Sequence, residues 1–443
     1  MQTQALPGFR DFYPDDFAVR AHIFRTWREV ARRYGFEEYD GPPLEPLDLY
    51  TAKSGAEIVG QLYNFTDKGG RDVALRPEMT PTFARMVSAR ANGLRKPIRW
   101  FSVPQLFRYE RQQRGRLREH FQLNCDLVGE PGPMGDAEII GLAIDVMRAF
   151  GLGADAVRMR LSDRRVLQAL LQGAGVTTEQ LPEAFQAIDK MERADRAELG
   201  AQLTAAGLTA RAVHGLFAAA SLRGRDAVFA ALAEVDGGDA AAAPFRKTLD
   251  ALDAMGLGAF VDVDLTIVRG LAYYTGTVFE LFDAGRTLRA ICGGGRYDNL
   301  LLALGGADLP ALGFGMGDVV LGEILRERQL LPVAASRLDA FVAGVTDEDS
   351  MHVLALAHEL RDAGVSVEYA LSAQALGKQL KLADARGASL AVVIGPDDRA
   401  RGEVLVKDLG RKAQHAVPRG AAAVEIAALA RSLSTASGVS LHG

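Results

Sequence analysis

Apolar residues recur at intervals of three and four from Phe17 through Ala21, Phe24, Trp27 and Ala31 to Tyr34. That spacing predicts an amphipathic helix over 14–34. Pro14 with Asp15 and Asp16 suits its start, and Gly35 its stop. Further on the period changes to two. Over 119–129, His120, Gln122, Asn124, Asp126 and Val128 point one way, and Phe121, Leu123, Cys125 and Leu127 the other. The stretch 97–110 reads as a neighbouring strand, with Arg108 and Glu110 on one face and Phe107 and Tyr109 on the other. Residues 62–67 and 71–76 read as a hairpin around Asp67-Lys68-Gly69-Gly70. A helix is expected over 137–150, then Ala/Leu/Gln-rich helices without strands over about 162–250. Strand signals return over 260–283 and 286–292, followed by a Gly-rich stretch and a helix to about 328.

The last hundred residues alternate strand and helix: strands 338–344, 365–369 and 389–394, helices 347–363 and 374–386. That rhythm argues a parallel sheet with helices packed on it, whereas the first part reads as a mostly antiparallel α+β sheet domain with a helical insertion. The expected division is 1–328, a linker 329–336, an α/β domain 337–435 and a tail 436–443.

Composition narrows the classes. The 443 residues are 48% hydrophobic and 24% charged, which fits a globular chain with large cores. Two cysteines, Cys125 and Cys292, exclude a disulfide framework and a Cys-rich zinc module. No segment approaches an uninterrupted apolar span, and the opening residues lack the order of a signal peptide, so a cytoplasmic protein without a membrane is expected. The net charge of −5 excludes a global basic footprint. One local basic patch stands out: Arg95, Lys96, Arg99, Arg108, Arg111, Arg114, Arg116 and Arg118 against Glu110 alone. It is almost all Arg, the side chain suited to forked phosphate contacts.

Several chemistries are absent. There is no phosphate loop of the Gly-Lys-Ser/Thr type, no His-Glu-x-x-His pair and no Gly-x-Ser-x-Gly elbow. The seven histidines are scattered, so no protein-caged metal is expected. What remains is the polar face of two strands joined by an Arg-rich loop. It is either the floor of a pocket for a small zwitterion and a polyphosphate, or a solvated sheet face. Arg269 in the apolar run Ile267–Tyr274 is costly unless it meets an anion. Tyr273 and Tyr274 point to opposite faces, so one can line a pocket. Gly293-Gly294-Gly295 before Arg296 allows a backbone approach that no larger residue permits, or is a plain turn.

At this point the residues carry a resemblance to the class II aminoacyl-tRNA synthetases, and within them to the histidyl-tRNA synthetase family. It runs over essentially the whole chain. Pro43 resembles the motif 1 proline, and Leu75-Arg76-Pro77-Glu78-Met79-Thr80 the amino-acid-binding segment. Phe107-Arg108-Tyr109-Glu110 with Arg114-Gly115-Arg116 resembles motif 2. Val268-Arg269-Gly270-Leu271 through Tyr274, and Gly293 to Asp298, resemble the two histidine-specific peptides. Gly377–Lys381 and Val406–Leu409 resemble an anticodon-binding domain.

The resemblance implies a homodimer that joins L-histidine to tRNA(His) using ATP and Mg²⁺. Glu78, Thr80 and Gln122 would bind the α-ammonium group, and Asp126, Tyr273 and Tyr274 the imidazole side. Arg108 would hold the α-phosphate, with Glu110 and His120 on the adenine side. Arg269 would contact carboxylate and α-phosphate together. Arg111, Gln113, Arg114 and Arg116 would meet the acceptor end of the tRNA. Charge supports such roles: two anions must meet, so fixed guanidinium groups rather than a nucleophile are needed. Three positions depart from the family pattern. His120, with Phe121 next to it, stands where motif 2 usually carries an aromatic that stacks on adenine. Ala272 stands where an acid is usual, and Val320 where motif 3 carries Arg, with Arg296 the expected substitute. The resemblance leaves one alternative, a regulatory subunit of ATP phosphoribosyltransferase that binds histidine without charging tRNA; a non-enzymatic RNA-binding scaffold is a third reading.

Overall fold

The opening periodicity forms helix α1, Pro14–Arg33, which buries Ile23, Thr26, Trp27, Val30 and Ala31. Its buried stripe is rotated from the expected one. Phe17 remains 49% exposed, and the Arg20 guanidinium stacks 4.4 Å above its ring. A cation thus covers an aromatic that the core does not take. In this computed structural model the described residues are 4–51, 59–110, 115–191, 194–268, 274–285, 288–304, 306–331 and 338–436. They belong to two compact units, Met1–Leu331 and Pro332–Gly443. Most of the expected linker 329–336 and of the tail 436–443 lies outside the described residues.

The strands of the first unit are β1 (Glu37–Glu38), β2 (Leu44–Pro46), β3 (Tyr63–Thr66), β4 (Asp72–Leu75), β5 (Ile98–Ser102), β6 (Gln105–Phe107), β7 (Glu119–Val128), β8 (Val157–Asp163), β9 (Val261–Val263), β10 (Thr277–Asp283), β11 (Cys292–Arg296) and β12 (Ala311–Gly317). Strands β2, β4 and β3 form a small sheet. Its β3–β4 turn is the expected one. The Asp67 carboxylate accepts from the amides of Gly69 and Arg71 at 2.8 and 2.9 Å, and Gly70 takes φ +78°.

The large sheet has nine strands in the order β1-β5-β7-β12-β11-β10-β8-β9, with β6 beside β7. Only β1–β5 and β8–β9 pair in parallel, so it is mostly antiparallel. The long strand expected over 97–110 is broken at Val103-Pro104 into β5 and β6, both paired with β7. Proline has no amide to donate to a ladder, so pairing lapses there. Strand β7 sits mid-sheet and runs the full length predicted by its alternation. Its apolar face, Leu123, Cys125 and Leu127, is fully buried under α1, helix α2 (Pro133–Ala149) and a later helix, Asp318–Glu327.

Six helices, none separated by a described strand, occupy Arg164–Ala254. They include α3, Leu181–Lys190. They are not an independent body. Leu216, Phe245 and Leu249 belong to the same buried cluster as Trp27, Leu123 and Phe279. The strand signal expected over 260–283 divides into β9 and β10. Between them Asp264 turns the chain by accepting from the Thr266 amide at 3.0 Å and pairing with Arg160. Of the expected strand 286–292, residues 286 and 287 lie outside the described residues and β11 begins at Cys292; the triple glycine lies inside β11 rather than in a turn.

The second unit has a five-stranded sheet flanked by helices. Its strands are β13 (Leu338–Gly344), β14 (Val367–Tyr369), β15 (Ala388–Ile394), β16 (Glu403–Asp408) and β17 (Ala413–Pro418), in the order β14-β13-β15-β16-β17. The first three pair in parallel as expected. The last two are antiparallel; between β16 and β17, residues 409–412 are too short a link for a parallel crossover.

Candidate active site

The polar face of β7 looks into two adjoining cavities rather than into open solvent. Asn124 is 6% exposed and Asp126 4%. The wider cavity, about 830 Å³, is lined by Arg108, Glu110, Arg116, His120 and Gln122. The narrower, about 90 Å³, is lined by Glu78, Thr80, Asn124, Asp126, Tyr274 and Tyr297. Arg108, Gln122, Gly293 and Gly315 border both.

Glycines on the neighbouring strands make the room. Asp126 on β7, Gly313 on β12 and Gly295 on β11 stand in register across three strands and face the same way. A Cβ at Gly313 would lie 2.5 Å from the Asp126 carboxylate, and one at Gly315 2.6 Å from the Gln122 side chain. A Cβ at Gly295 would lie 2.8 Å from the Tyr274 ring. Polar side chains therefore lie flat across the sheet where the adjacent strands have no side chains. The glycine run serves close approach within a ladder.

Asp126 is the chemical centre of the narrow cavity. Burial pushes its carboxyl up to about 7, against a hydrogen bond from the Tyr297 hydroxyl that pulls the other way. Tyr274 (7% exposed) and Tyr297 (3%) close the walls with Phe83 and Val278 behind them. On the opposite rim, Glu78 and Thr80 are presented by a segment pinned from beneath. The buried Arg76 donates to Asp40 at 2.7 Å, to the Gly41 carbonyl at 2.7 Å and to the Gln105 carbonyl at 3.0 Å. Arg108 is half-buried, and its Nε donates to the Pro77 carbonyl at 2.8 Å. That bond holds the guanidinium at the seam between the cavities.

On the wide side, His120 is driven down to about 3 by burial and then by the charges of Arg108 and Arg10. Its ring is neutral at physiological pH and offers a flat surface, not a charge. Arg116 pairs with Glu110, so these two expected ligands meet on one wall. Beside them Arg10 bonds Glu119 at 2.6 Å and Asp318 at 2.9 Å. Asp318 also accepts from the Phe121 amide at 2.9 Å. It begins helix α4, Asp318–Glu327, so this cluster ties the N-terminal segment to β7 and α4.

Of the expected site residues, Glu78, Thr80, Arg108, Glu110, Arg116, His120, Gln122, Asp126 and Tyr274 line these two cavities. Arg111, Gln113, Arg114, Arg269 and Tyr273 lie outside the described residues. Arg296 is a correction. It borders neither cavity and is 2% exposed. It pairs with Asp136 at 2.9 Å and Asp298 at 3.1 Å, and donates to the Glu130 and Gly132 carbonyls. A buried guanidinium with those partners clamps the end of β11 to the start of α2 and cannot reach a nucleotide. Sequence reasoning put Asn124 on the polar face without giving it a role, and missed Tyr297 in the narrow cavity and Asp189, Glu280 and Arg289 in the wide one. Tyr297 stands in a segment already singled out, but only the pairing of β7, β12 and β11 brings it over Asp126.

The comparisons agree with this geometry. A family model described as histidyl-tRNA synthetase matches residues 8–317, and one described as anticodon binding domain matches 339–429. A histidine–tRNA ligase of Opitutus terrae is 48% identical over 426 residues, covering 94% of this chain and 96% of the relative. One from Leptospira biflexa is 39% identical over 420 residues, covering 94% and 95%. Among solved structures, a histidyl-tRNA synthetase from Nostoc matches with a TM-score of 0.80 at 25% identity, covering 96% of this chain and 99% of that one. By these matches the chain belongs to the histidyl-tRNA synthetase family.

Proposed function

We propose that the protein is a histidine–tRNA ligase: it activates L-histidine with ATP, releasing diphosphate, and transfers histidine to the 3′ end of tRNA(His). The observation that carries this is the pair of cavities joined at Arg108, one lined by buried hydrogen-bonding groups and one by charge. In the narrow one, Asp126 and Tyr274 hold the imidazole through its ring nitrogens. A side chain of similar size without those nitrogens leaves the buried partners unpaired and is rejected. Glu78, Thr80 and Gln122 hold the α-ammonium group, which turns the carboxylate toward Arg108. In the wide cavity His120 lies against the adenine and Glu110 on its edge.

Activation brings a carboxylate onto the α-phosphorus, and both are anions. Arg108 is a fixed, always-charged guanidinium at the meeting point, so it lowers the repulsion without reorganising. Arg269 is proposed for the same work, and Arg111, Gln113, Arg114 and Arg116 for the acceptor end of the tRNA. Mg²⁺ would neutralise the outer phosphates. Such an ion is held mainly by phosphate oxygens and water. Assembly as a homodimer and a cytoplasmic location belong to the same reading.

The second unit, matched by the anticodon-binding model, favours the ligase over the regulatory-subunit alternative, which has no use for such a module. The test is exchange of labelled diphosphate into ATP. Exchange that depends on histidine, followed by charging of tRNA(His), is the expected result. Histidine binding without exchange at any histidine concentration would overturn the ligase in favour of the regulatory subunit.

A further inference from the structure

We infer that Tyr39 and Ser102 are positioning residues for Asp126: through one buried water, their hydroxyls hold its carboxylate ionised for the imidazole. This deepens the proposed function and rests on it. Behind the narrow cavity lie two buried hydroxyl oxygens, Tyr39 Oη and Ser102 Oγ, that meet no partner at hydrogen-bonding geometry among the described residues. Ser102 is 0% exposed. Leaving a buried hydroxyl unpaired is costly, and an ordered water is the common remedy where several polar groups converge.

Strand pairing fixes where these hydroxyls face. Ser102 on β5 stands opposite Asn124 on β7, and Trp100 opposite Asp126. Residues paired across a ladder share a face, so Ser102 and Trp100 stand on the polar face of β7. Tyr39 continues β1, its amide donating to the Phe101 carbonyl at 2.8 Å. Its ring lies 5.4 Å from that of Trp100 and 5.6 Å from that of Phe83. These rings pack in the apolar cluster that also holds Tyr274 and Tyr297, so Tyr39 belongs to the cavity side of the sheet. Burial, and then the charge of Asp126, push the Tyr39 hydroxyl well above its ordinary range, against the influence of the nearby Ser102. It stays protonated and can donate.

Asp126 has room for another donor. The remaining titratable or charged groups bordering its cavity are Glu78, Arg108, Tyr274 and Tyr297. Among the described residues, its carboxylate accepts from Tyr297 alone, whereas an ionised carboxylate can accept about four hydrogen bonds. The Asn124 amide nitrogen donates to the Gln122 carbonyl at 3.2 Å, which leaves its side-chain oxygen as an acceptor. A water among these groups accepts from Tyr39 and Ser102 and donates to Asp126 and Asn124, which fills its capacity. A donor to the carboxylate favours the charged form, the one that accepts an imidazole N–H. Burial works the other way, so these hydroxyls keep the pocket competent near neutral pH.

The experiment uses the full chain. Histidine is titrated by calorimetry into wild type, Tyr39→Phe, Ser102→Ala and the double variant between about pH 6 and pH 9, with ATP–diphosphate exchange measured alongside. Each single substitution removes one oxygen and should leave the fold intact. Each should weaken histidine binding about fivefold at the acid end. The loss should shrink toward none as pH rises and Asp126 ionises unaided. The double variant should lose little more than either single one, because both hydroxyls act through one water. The KM for ATP should stay within about twofold. Wild-type affinity throughout, or a loss equal at every pH, would overturn the assignment, and fully additive losses would overturn the shared water. A wild type whose histidine binding shows the expected dependence on both hydroxyls but which exchanges no diphosphate would overturn the ligase reading instead, and leave Tyr39 and Ser102 in their role.

Discussion

The two cavities are built by opposite means from the same strand. The narrow one holds Asp126, Tyr274 and Tyr297 in space that β11 and β12 leave open by carrying glycine. The wide one is lined by charged groups, two of which, Glu110 and Arg116, already neutralise each other. Recognition of a small aromatic ring needs fixed, dry hydrogen-bond partners, because an unpaired one is costly there. Recognition of a polyanion needs net positive charge at the right end, and tolerates water. Two arginines make the same point. Arg108 and Arg296 are both guanidiniums near the sheet, but Arg296 is fully paired and structural, whereas Arg108 faces both cavities.

The largest expected effect tests that last contrast. Replacing Arg296 by Met leaves Asp136 buried without its partner, which should cost about 3–5 kcal/mol of stability. The urea midpoint should fall steeply while the KM for ATP in the surviving folded enzyme stays within about twofold. A raised KM for ATP at unchanged stability would return Arg296 to the nucleotide site.

Next comes Gly313→Ala. Its Cβ would meet the Asp126 carboxylate at 2.5 Å, so the proposed imidazole partner must move. A displacement of that kind costs about 100-fold in kcat/KM for histidine, with ATP binding little changed. Steady-state exchange kinetics with each substrate varied in turn would show the split, and equal losses for both substrates would erase the distinction between the cavities.

Tyr297→Phe is milder. Removing the hydroxyl deprives Asp126 of the bond that favours its charged form, so its carboxyl should titrate above about 7. Histidine affinity at neutral pH should fall about tenfold and recover in part as pH rises. Calorimetric titration with histidine across pH 6–9 measures this.

The smallest effect per unit change is on the unliganded protein. The carboxyl of Asp126 lies near 7 in the fold and near its usual value of about 4 in the unfolded chain. Between those values the folded form holds a proton that the unfolded form has released. Stability from this group is therefore greatest at low pH and declines as pH rises through that window. Asp126→Asn should remove that decline, by about 1 kcal/mol per pH unit or less in urea unfolding. An unchanged pH profile in the variant would mean that the buried carboxyl is ionised throughout.

Local pattern carried a good deal of the outcome. Alternation located β7 and its polar face, the Asp67–Gly70 turn marked a hairpin, and Ala/Leu-rich periodicity marked the helical segment, because each depends on neighbours in sequence. Motif order pointed to the family and to nine cavity residues. Other features were decided only by tertiary structure. Whether the polar face of β7 was wet or enclosed depended on β12, whose paired residues lie 183–195 positions away in the chain. Arg296 looked like a ligand and is a clamp, because its partner Asp136 comes from a different element. Tyr297 carried no local sign of its position, since what aims a side chain into a cavity is strand register. The sequence by itself determined which residues could do the chemistry. Only the folded sheet decided which of them meet, because a charge or hydroxyl acquires its role from the partner brought against it.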